Sequence, residues 1–593
     1  MSQSSASPVL SFSAPTQSPQ DRPHAHLWGF ADSTFETEGG AIVLRSSRYE
    51  NGGKPLDRFA PFVEQAVGIA FDPTDRHDPV TPFVPDPLPC DELVVMLAEV
   101  VGRDHCTQDA QVRLRHGHGH HLEEIFKVMY DKLDRVPDVV VYPETAEQVQ
   151  GVLRVAASYH ALVVPFGGGT AVTMALSCEG ETRAIVALDL ARMNRILWLD
   201  PESHVACIQA GAVGRSLEAQ LREAGYTLGH EPDSIEFSTL GGWVATNASG
   251  MKKNRYGNIE DIVLDVTVVT LDGVLTHPCT VPRASHGIDV RKLIFGSEGL
   301  LGVVVQATVR VHRAPEVQFY GSLVFPTWQS GLSFMRQLST WQSVPASVRL
   351  VDNLQFQFGR ALKPGSGSSI GARLQKLFVE KVKGIDVTQM VACTIVYEGY
   401  RSEQEALRSQ VGALAKQYGG FSAGGRAGKD GYNLTFGIAY IRDFLLQYWT
   451  LGDSFETSVP WGRVNELIAG VKAAVVRSHA EQGLAGRPFV TARISQVYPT
   501  GCCVYFYIGF HYKAAQNPLD AFKAIEHEAR LAIIENGGAL SHHHGIGKLR
   551  APYLARVKSA TALDWVNKIS WAVDPERVFS SGNQGVPRGR SDR

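Results

Sequence analysis

A run of basic residues, a CxxC pair and an apolar stretch long enough to cross a bilayer are all missing from this sequence of 593 residues. Each absence removes a class of function. A formal net charge of -3 with no basic cluster argues against nucleic acid as a partner. The eight cysteines, Cys90, Cys106, Cys178, Cys207, Cys279, Cys393, Cys502 and Cys503, follow no disulfide-framework spacing, which suits a reducing compartment. The first two dozen residues are rich in Ser, Pro and Gln and lack the basic start and apolar core of a signal peptide, so neither secretion nor a membrane span is expected.

What is present is ordinary globular material, 44% apolar and 20% charged, in a chain too long for one compact domain. A soluble multidomain enzyme is expected. Residues 1–25 read as a disordered leader, because Ser, Pro and Gln cannot form a buried face. Residues 26–136 form an N-terminal extension containing RFAPFVEQAVGIAF (Arg58 to Phe71), an apolar helix that is either core or a membrane-surface contact. Core is favoured, since its polar face carries only Glu64 and Gln65 and no basic residues.

From 137 to 316 strands and helices alternate as in an α+β nucleotide-binding unit. Thr145 and Gln148 form a capping box ahead of Val149, Val152, Leu153 and Ala156 at helical spacing. The strand ALVVPF then enters a glycine turn. Strands AIVALDL and VACIQAGA follow, then the helix SLEAQLREAG stopped by Gly225. A hairpin turning at Asp272-Gly273 and the strand GVVVQATVRVHR complete the unit. Residues 317–550 make a second α+β domain with strands SLVFP and CCVYFYIGFHY and a long helix ended by Gly537. Within it LKPGSGSSIGAR (Leu362 to Arg373) reads as a surface loop. Residues 551–593 look like a helical return.

Two constellations carry chemistry. The turn PFGGGTAVT (Pro165 to Thr173) lacks the GxGxxG of a Rossmann site and the GK[ST] of a P-loop. Three consecutive glycines nonetheless let successive N–H groups converge on an anion such as a pyrophosphate. The plainer alternative is a tight turn without a ligand. Near the C-terminus, SHHHGIG holds His542, His543 and His544, whose imidazoles titrate near neutrality and suit acid/base work or metal binding. Neighbours on an extended loop do not all face one point, so acid/base and phosphate contacts are favoured and no metal is expected. Glycine and small polar residues also fill Gly229 to Val263 and Phe295 to Val304, where a core would need apolar ones.

The glycine turn, GHEPDSIEFSTLGGWVATNASG and FGSEGLLGVV, in that order, resemble the flavin-binding domain of the vanillyl-alcohol-oxidase class. HLWGFADSTFETEGG, RLRHGHGHHLEEIF, ASVRLVDNLQFQFGRALKP, AYIRDFLLQYW and SHHHGIGKLR extend the resemblance over nearly the whole chain. They are similar to the alkyldihydroxyacetonephosphate synthase family, flavoenzymes that make the ether bond of ether phospholipids. The resemblance implies a vanillyl-alcohol-oxidase-type FAD-binding domain of two α+β subdomains, an α+β cap domain and an N-terminal helical extension. It also implies non-covalent FAD.

By that resemblance the flavin cradle comprises Pro165, Phe166, Gly167, Gly168, Gly169, Thr170 and Ala171. Further flavin contacts fall on Asp233, Ser234, Ile235, Glu236, Phe237, Ser238 and Thr239, and on Thr246, Asn247, Ala248 and Ser249. A last group comprises Gly296, Ser297, Glu298, Gly299, Leu300, Leu301 and Gly302. Ala171 and Leu300 stand where the family often has hydroxyl residues, so hydroxyl contacts there are lost.

The implied reaction exchanges the acyl group of acyl-dihydroxyacetone phosphate for a long-chain fatty alcohol without net redox change. The flavin N5 acts as the nucleophile. Tyr505 matches the acid/base tyrosine, although alone it reads as an ordinary strand aromatic. Strand alternation sets it with Tyr507 and Gly509, opposite Val504, Phe506 and Ile508. His542, His543 and His544 match the active-site triplet, and Arg442 a grip on the departing carboxylate. Arg349 matches a required arginine acting through the tyrosine or the flavin. His230 has either a substrate or a structural role, and His116, His118, His120 and His121 are structural or substrate-adjacent.

The resemblance further implies a homodimer, peripheral membrane contact, with Arg58–Phe71 the candidate, and the acyltransferase that makes the substrate as a partner. It implies residence in peroxisomes or glycosomes, although Ser591-Asp592-Arg593 is not an SKL-type address and no N-terminal nonapeptide is visible. The rivals are an FAD-dependent 2-hydroxy-acid oxidoreductase and a silent lipid-binding scaffold.

Overall fold

A computed structural model describes residues 9–12, 21–277, 281–285, 287–365 and 386–588. The Leu362–Arg373 loop therefore lies, from residue 366 onward, outside the described residues. The flavin-type unit has two subdomains. In the first, strands Val139–Val141, Ile185–Asp189 and Leu162–Phe166 pair in parallel, with Cys106–Thr107 antiparallel at the edge. The second is an antiparallel sheet ordered Val274–Leu275, Val263–Val269, Val303–Arg310, Val205–Gln209, Ile196–Asp200. One continuous apolar core fills both.

Local signals act largely as read. Thr145 caps its helix by accepting from the Gln148 N–H. The return half of the expected box differs: the Gln148 side chain accepts from the Glu144 N–H at 2.7 Å, one residue earlier. Gly273 closes the hairpin, its carbonyl accepting from the Thr270 N–H at 2.8 Å. The C-terminal return is stitched to the cradle strand where Val163 N–H donates to the Val578 carbonyl at 2.7 Å.

The cap is a seven-stranded antiparallel sheet. Its order is Phe421–Ser422, Val317–Phe325, Val391–Gly399, Ser347–Val351, Phe489–Tyr498, Gly501–His511, Thr450–Pro460. Strand alternation sorts its two faces. Cys502, Val504, Phe506, Ile508 and Phe510 pack with the helices Val464–Glu481 and Pro518–Glu535 in a second core. Each such apolar side chain contributes about 1.5–3 kcal/mol by burial. The other face, carrying Cys503, Tyr505 and Tyr507, turns toward the flavin-type unit.

The N-terminal extension is not purely helical, because Thr34–Glu38 and Ala41–Arg45 form an antiparallel hairpin. Part of the segment read as a leader is anchored: Leu10 bridges Leu199, and Asp21 pairs with Arg48 at 2.7 Å. The helix expected within Arg58–Phe71 spans Phe59–Val67 and ends at Gly68, whose φ is 74°. Phe59, Val63 and Val67 are buried against Phe358, Tyr440 and Phe444. Phe62 packs on Phe358 and Phe489, and Phe71 on Tyr448. The Phe59, Val63 and Val67 face of this helix thus packs inside the protein, as the core reading expects.

Candidate active site

A cavity of about 430 Å3 runs between the flavin-type unit and the cap, a size usual for ligand sites. The glycine turn forms its floor. Among the described residues, the backbone N–H groups of Gly167 through Ala171 donate no hydrogen bond within the protein. The turn also lies tight on its neighbours: a Cβ on Gly168 would sit 2.1 Å from the Phe237 carbonyl oxygen, and one on Gly167 2.4 Å from Thr239 Oγ1. A strip of free N–H donors held below any side chain fits the pyrophosphate of a dinucleotide.

All seven cradle residues line the cavity, as do Asp233, Ser234, Ser238, Thr239, Thr246, Ala248, Ser249, Ser297, Glu298, Gly299 and Gly302. The other expected flavin contacts do not. Ile235 and Leu300 are packed in the interior, and Leu301 packs on the first core. Glu236 pairs with Arg215 and accepts from Tyr49, and Phe237 packs on Trp28 and Phe30. Asn247 supplies the left-handed cap of the helix Leu240–Thr246. The Gly296 carbonyl accepts from Gln584. These seven shape the wall from behind.

Above the floor, sheet register assembles the chemistry. Tyr505 lies directly opposite Glu456 on one neighbouring strand and Arg493 on the other. The Tyr505 hydroxyl shares a hydrogen bond with Ser454 Oγ at 3.0 Å and lies 3.5 Å from His544 Nε2. Arg493 rests 4.1 Å from the centroid of its ring and donates to the Tyr507 hydroxyl at 2.5 Å. Burial pushes the Tyr505 phenol well above its ordinary range, Tyr507 adds to this, and Arg493 offsets part of it. The phenol therefore keeps its proton at neutral pH.

Asp233 joins the two arginines, one oxygen 3.1 Å from Arg349 and the other 3.2 Å from Arg493. Burial alone would raise its pKa, but Arg349 and Arg493 hold it below the usual carboxylate range. Arg349 does not itself line the cavity, and it reaches Tyr505 through Asp233 and Arg493. Arg442, on the helix Gly425–Leu446, does face the cavity, held by the His120 carbonyl at 2.6 Å and by Asp443.

The histidine loop is organised by one fully buried carboxylate. Glu456 accepts from the Ser541 hydroxyl at 2.8 Å and from the N–H groups of His542, His543 and His544 at 2.5, 3.4 and 3.0 Å; Arg550 lies 3.3 Å away. Burial opposes its ionisation, yet the pull of His543 and His544 in their protonated forms and of the Arg550 guanidinium keeps it well below the ordinary range. From the flavin side, Glu298 accepts from the Ile546 and Gly547 N–H groups at 2.5 and 2.8 Å. Gly547 permits this docking, since its Cβ would stand 2.1 Å from the Thr173 carbonyl oxygen.

The three imidazoles then diverge. His543 and His544 line the cavity; His542 turns away, Nε2 2.6 Å from the Tyr498 hydroxyl and Nδ1 2.9 Å from His543 Nδ1. Burial lowers all three from the ordinary imidazole value, His542 to about 3, so each ring is neutral, with one donor and one acceptor nitrogen. Glu456, Cys503, His542 and His543 each bring a metal-capable atom within 4.8 Å of the others. Both His542 nitrogens and the Glu456 oxygens are already engaged, so the cluster is built as a hydrogen-bonded unit.

His230 does not line the cavity. It is buried against Trp243, ring centroids 4.7 Å apart, and burial lowers it to about 3. Of the HGHGHH cluster, His116 bonds Asp189 at 2.8 Å, His118 bonds the Gly119 carbonyl, and His121 lies 3.4 Å from Glu526. Only His120 among these four lines the cavity. Sequence reasoning missed Glu456, Ser454, Arg493 and Tyr498. The one available signal was an acid, Glu456, three residues after Asp453 in TLGDSFETSVP, an otherwise apolar and hydroxyl-bearing strand.

The profile of the FAD binding domain family matches residues 137–277, and that of the C-terminal domain of FAD linked oxidases matches 314–583. The alkyldihydroxyacetonephosphate synthase of Caenorhabditis elegans is 40% identical over 562 residues, 94% of this chain and 94% of its own. The chain belongs to the alkyldihydroxyacetonephosphate synthase family. A relative of the same name from Dictyostelium discoideum is 32% identical over 80% of this chain and 77% of its own. A solved alkyldihydroxyacetonephosphate synthase superposes with a TM-score of 0.82 at 27% identity, covering 95% of this chain and 99% of that one. The family's cofactor is FAD, which the strip of N–H donors at Gly167–Ala171 fits.

Proposed function

We propose that this protein exchanges the acyl group of acyl-dihydroxyacetone phosphate for a long-chain alcohol, releasing a fatty acid and forming an ether. The observation that carries the reading is a single cavity in which a glycine cradle, a phenol–imidazole pair and an arginine meet an apolar arm. That arm is walled by Phe62, Val63, Val67, Phe358, Leu445 and Phe489. It shelters an alkyl chain from water, and membership of the family favours this reaction over oxidation of a 2-hydroxy acid.

When bound, the flavin supplies the nucleophilic nitrogen that retains the dihydroxyacetone phosphate fragment. The protein supplies the proton transfers. Tyr505 Oη is the acid/base group for the carbon that will carry the ether, and Ser454 Oγ and the neutral His544, 3.0 and 3.5 Å away, orient its hydroxyl. Arg442 presents a planar donor group to the leaving carboxylate. His543 faces the same space and meets the alcohol or the phosphate. The reading extends to a homodimer at a peroxisomal or glycosomal membrane, beside the acyltransferase that makes the ester. Membership of the family supports it.

The test is to incubate the purified holoprotein with palmitoyl-dihydroxyacetone phosphate and radiolabelled hexadecanol. Labelled alkyl-dihydroxyacetone phosphate and free palmitate in equal amounts are expected. Absence of both rejects the function.

A further inference from the structure

Replacing an ester by an ether liberates a carboxylic acid, which at neutral pH is a carboxylate and a proton. On the reading above, each turnover therefore leaves one proton, first carried by the alcohol hydroxyl, inside a cavity walled by apolar groups. One member of the histidine triplet has no place in that cavity: His542 points to Tyr498. We propose that His543, His542 and Tyr498 form a proton line that carries this proton from the cavity to solvent, with Tyr498 as its outer terminus.

The contacts are continuous. His543 lines the cavity, its Nδ1 is 2.9 Å from His542 Nδ1, and His542 Nε2 is 2.6 Å from the Tyr498 hydroxyl. Tyr498 is half-buried at the end of its strand, beside the exposed Pro499 and Thr500. It is held in place by Gln496 Oε1 at 3.3 Å and by the Lys253 ammonium 3.5 Å from its ring centroid. The proton balance closes. His543 Nε2 takes the alcohol proton and passes its Nδ1 proton to His542 Nδ1; His542 passes its Nε2 proton to Tyr498, whose own proton goes to water. Reorientation of the hydroxyl and the two rings resets the line. Neutral imidazoles suit this role, because each offers a donor and an acceptor at once.

The proposal rests on the ether-forming reading, and the test separates the two. The holoenzyme with Tyr498→Phe is assayed with palmitoyl-dihydroxyacetone phosphate and hexadecanol, with and without added imidazole. A fall in kcat of about 10²-fold or more is expected, the range of lost proton-transfer catalysis. KM and flavin content should be unchanged, and imidazole should restore turnover. His542→Gln, which fills the space and cannot relay, should show the same recovery. Unchanged kcat in Tyr498→Phe, or losses in both variants that imidazole does not restore, overturn the line while wild-type activity keeps the function. A wild type that makes no ether overturns both.

Discussion

The glycine floor at Pro165–Ala171 and the polar row around Tyr505 face each other across one cavity, yet opposite means build them. The floor is backbone: consecutive N–H groups exposed because no side chain covers them, all from one short turn. The row is side chains from positions 349, 456, 493, 505 and 544, brought together by antiparallel register and by a loop pinned at Glu456 and Glu298, with Arg442 added from the helix Gly425–Leu446. A backbone site tolerates no added bulk and is indifferent to most chemistry. A side-chain site is the reverse.

That contrast sets the largest expected effect. Gly168→Val drives a branched side chain into the Phe237 carbonyl, 2.1 Å from its Cβ, and should abolish flavin binding and activity together. Purified protein that keeps the flavin visible spectrum would break the contrast. Tyr505→Phe should do the opposite, keeping the full flavin spectrum while turnover falls about 10²–10⁴-fold. A rate within a factor of three of wild type removes the phenol from the mechanism.

The two regions also differed in how far they could be read. The floor was legible because three glycines after an apolar strand state a local geometry, and the alternation CCVYFYIGF correctly placed Tyr505 opposite the core. The partners of Tyr505 were not legible, because nothing near Arg493 or Glu456 in the chain says which strand they will pair with. Register across the three strands, with a bulge between Ile494 and Gln496, decides it. Two of the seven expected contacts that do not line the cavity, Glu236 and Phe237, share a segment with residues that do. They are turned outward by the tight Ser234–Ser238 turn onto the N-terminal extension, which the sequence did not place there.

Glu456 tests whether the loop belongs to the row as a unit. Glu456→Gln leaves Arg550 buried without its anion and weakens the bonds from three loop N–H groups, so a loss of about 3 kcal/mol is expected. The depressed carboxyl pKa gives the pH dependence its sign. The folded state holds the anion more tightly than the unfolded chain, so this stability is present above about 4.5 and is lost as pH falls through the folded value. The gap in Tm between wild type and variant should be widest near neutrality and close in acid. A gap independent of pH would mean that Glu456 acts by shape alone.

The smallest effect is expected at Arg442, the point where the row meets the substrate rather than itself. Its guanidinium is fixed by two partners, the His120 carbonyl and Asp443, and so presents one planar edge to the cavity. A lysine keeps the charge but cannot hold both partners and still offer paired donors to a carboxylate. Arg442→Lys should therefore raise KM for the acyl donor about tenfold, roughly 1.4 kcal/mol, and leave kcat close to wild type. Steady-state kinetics with palmitoyl-dihydroxyacetone phosphate separates grip from chemistry: a matching fall in kcat at constant KM would move Arg442 from holding the substrate to stabilising the transition state.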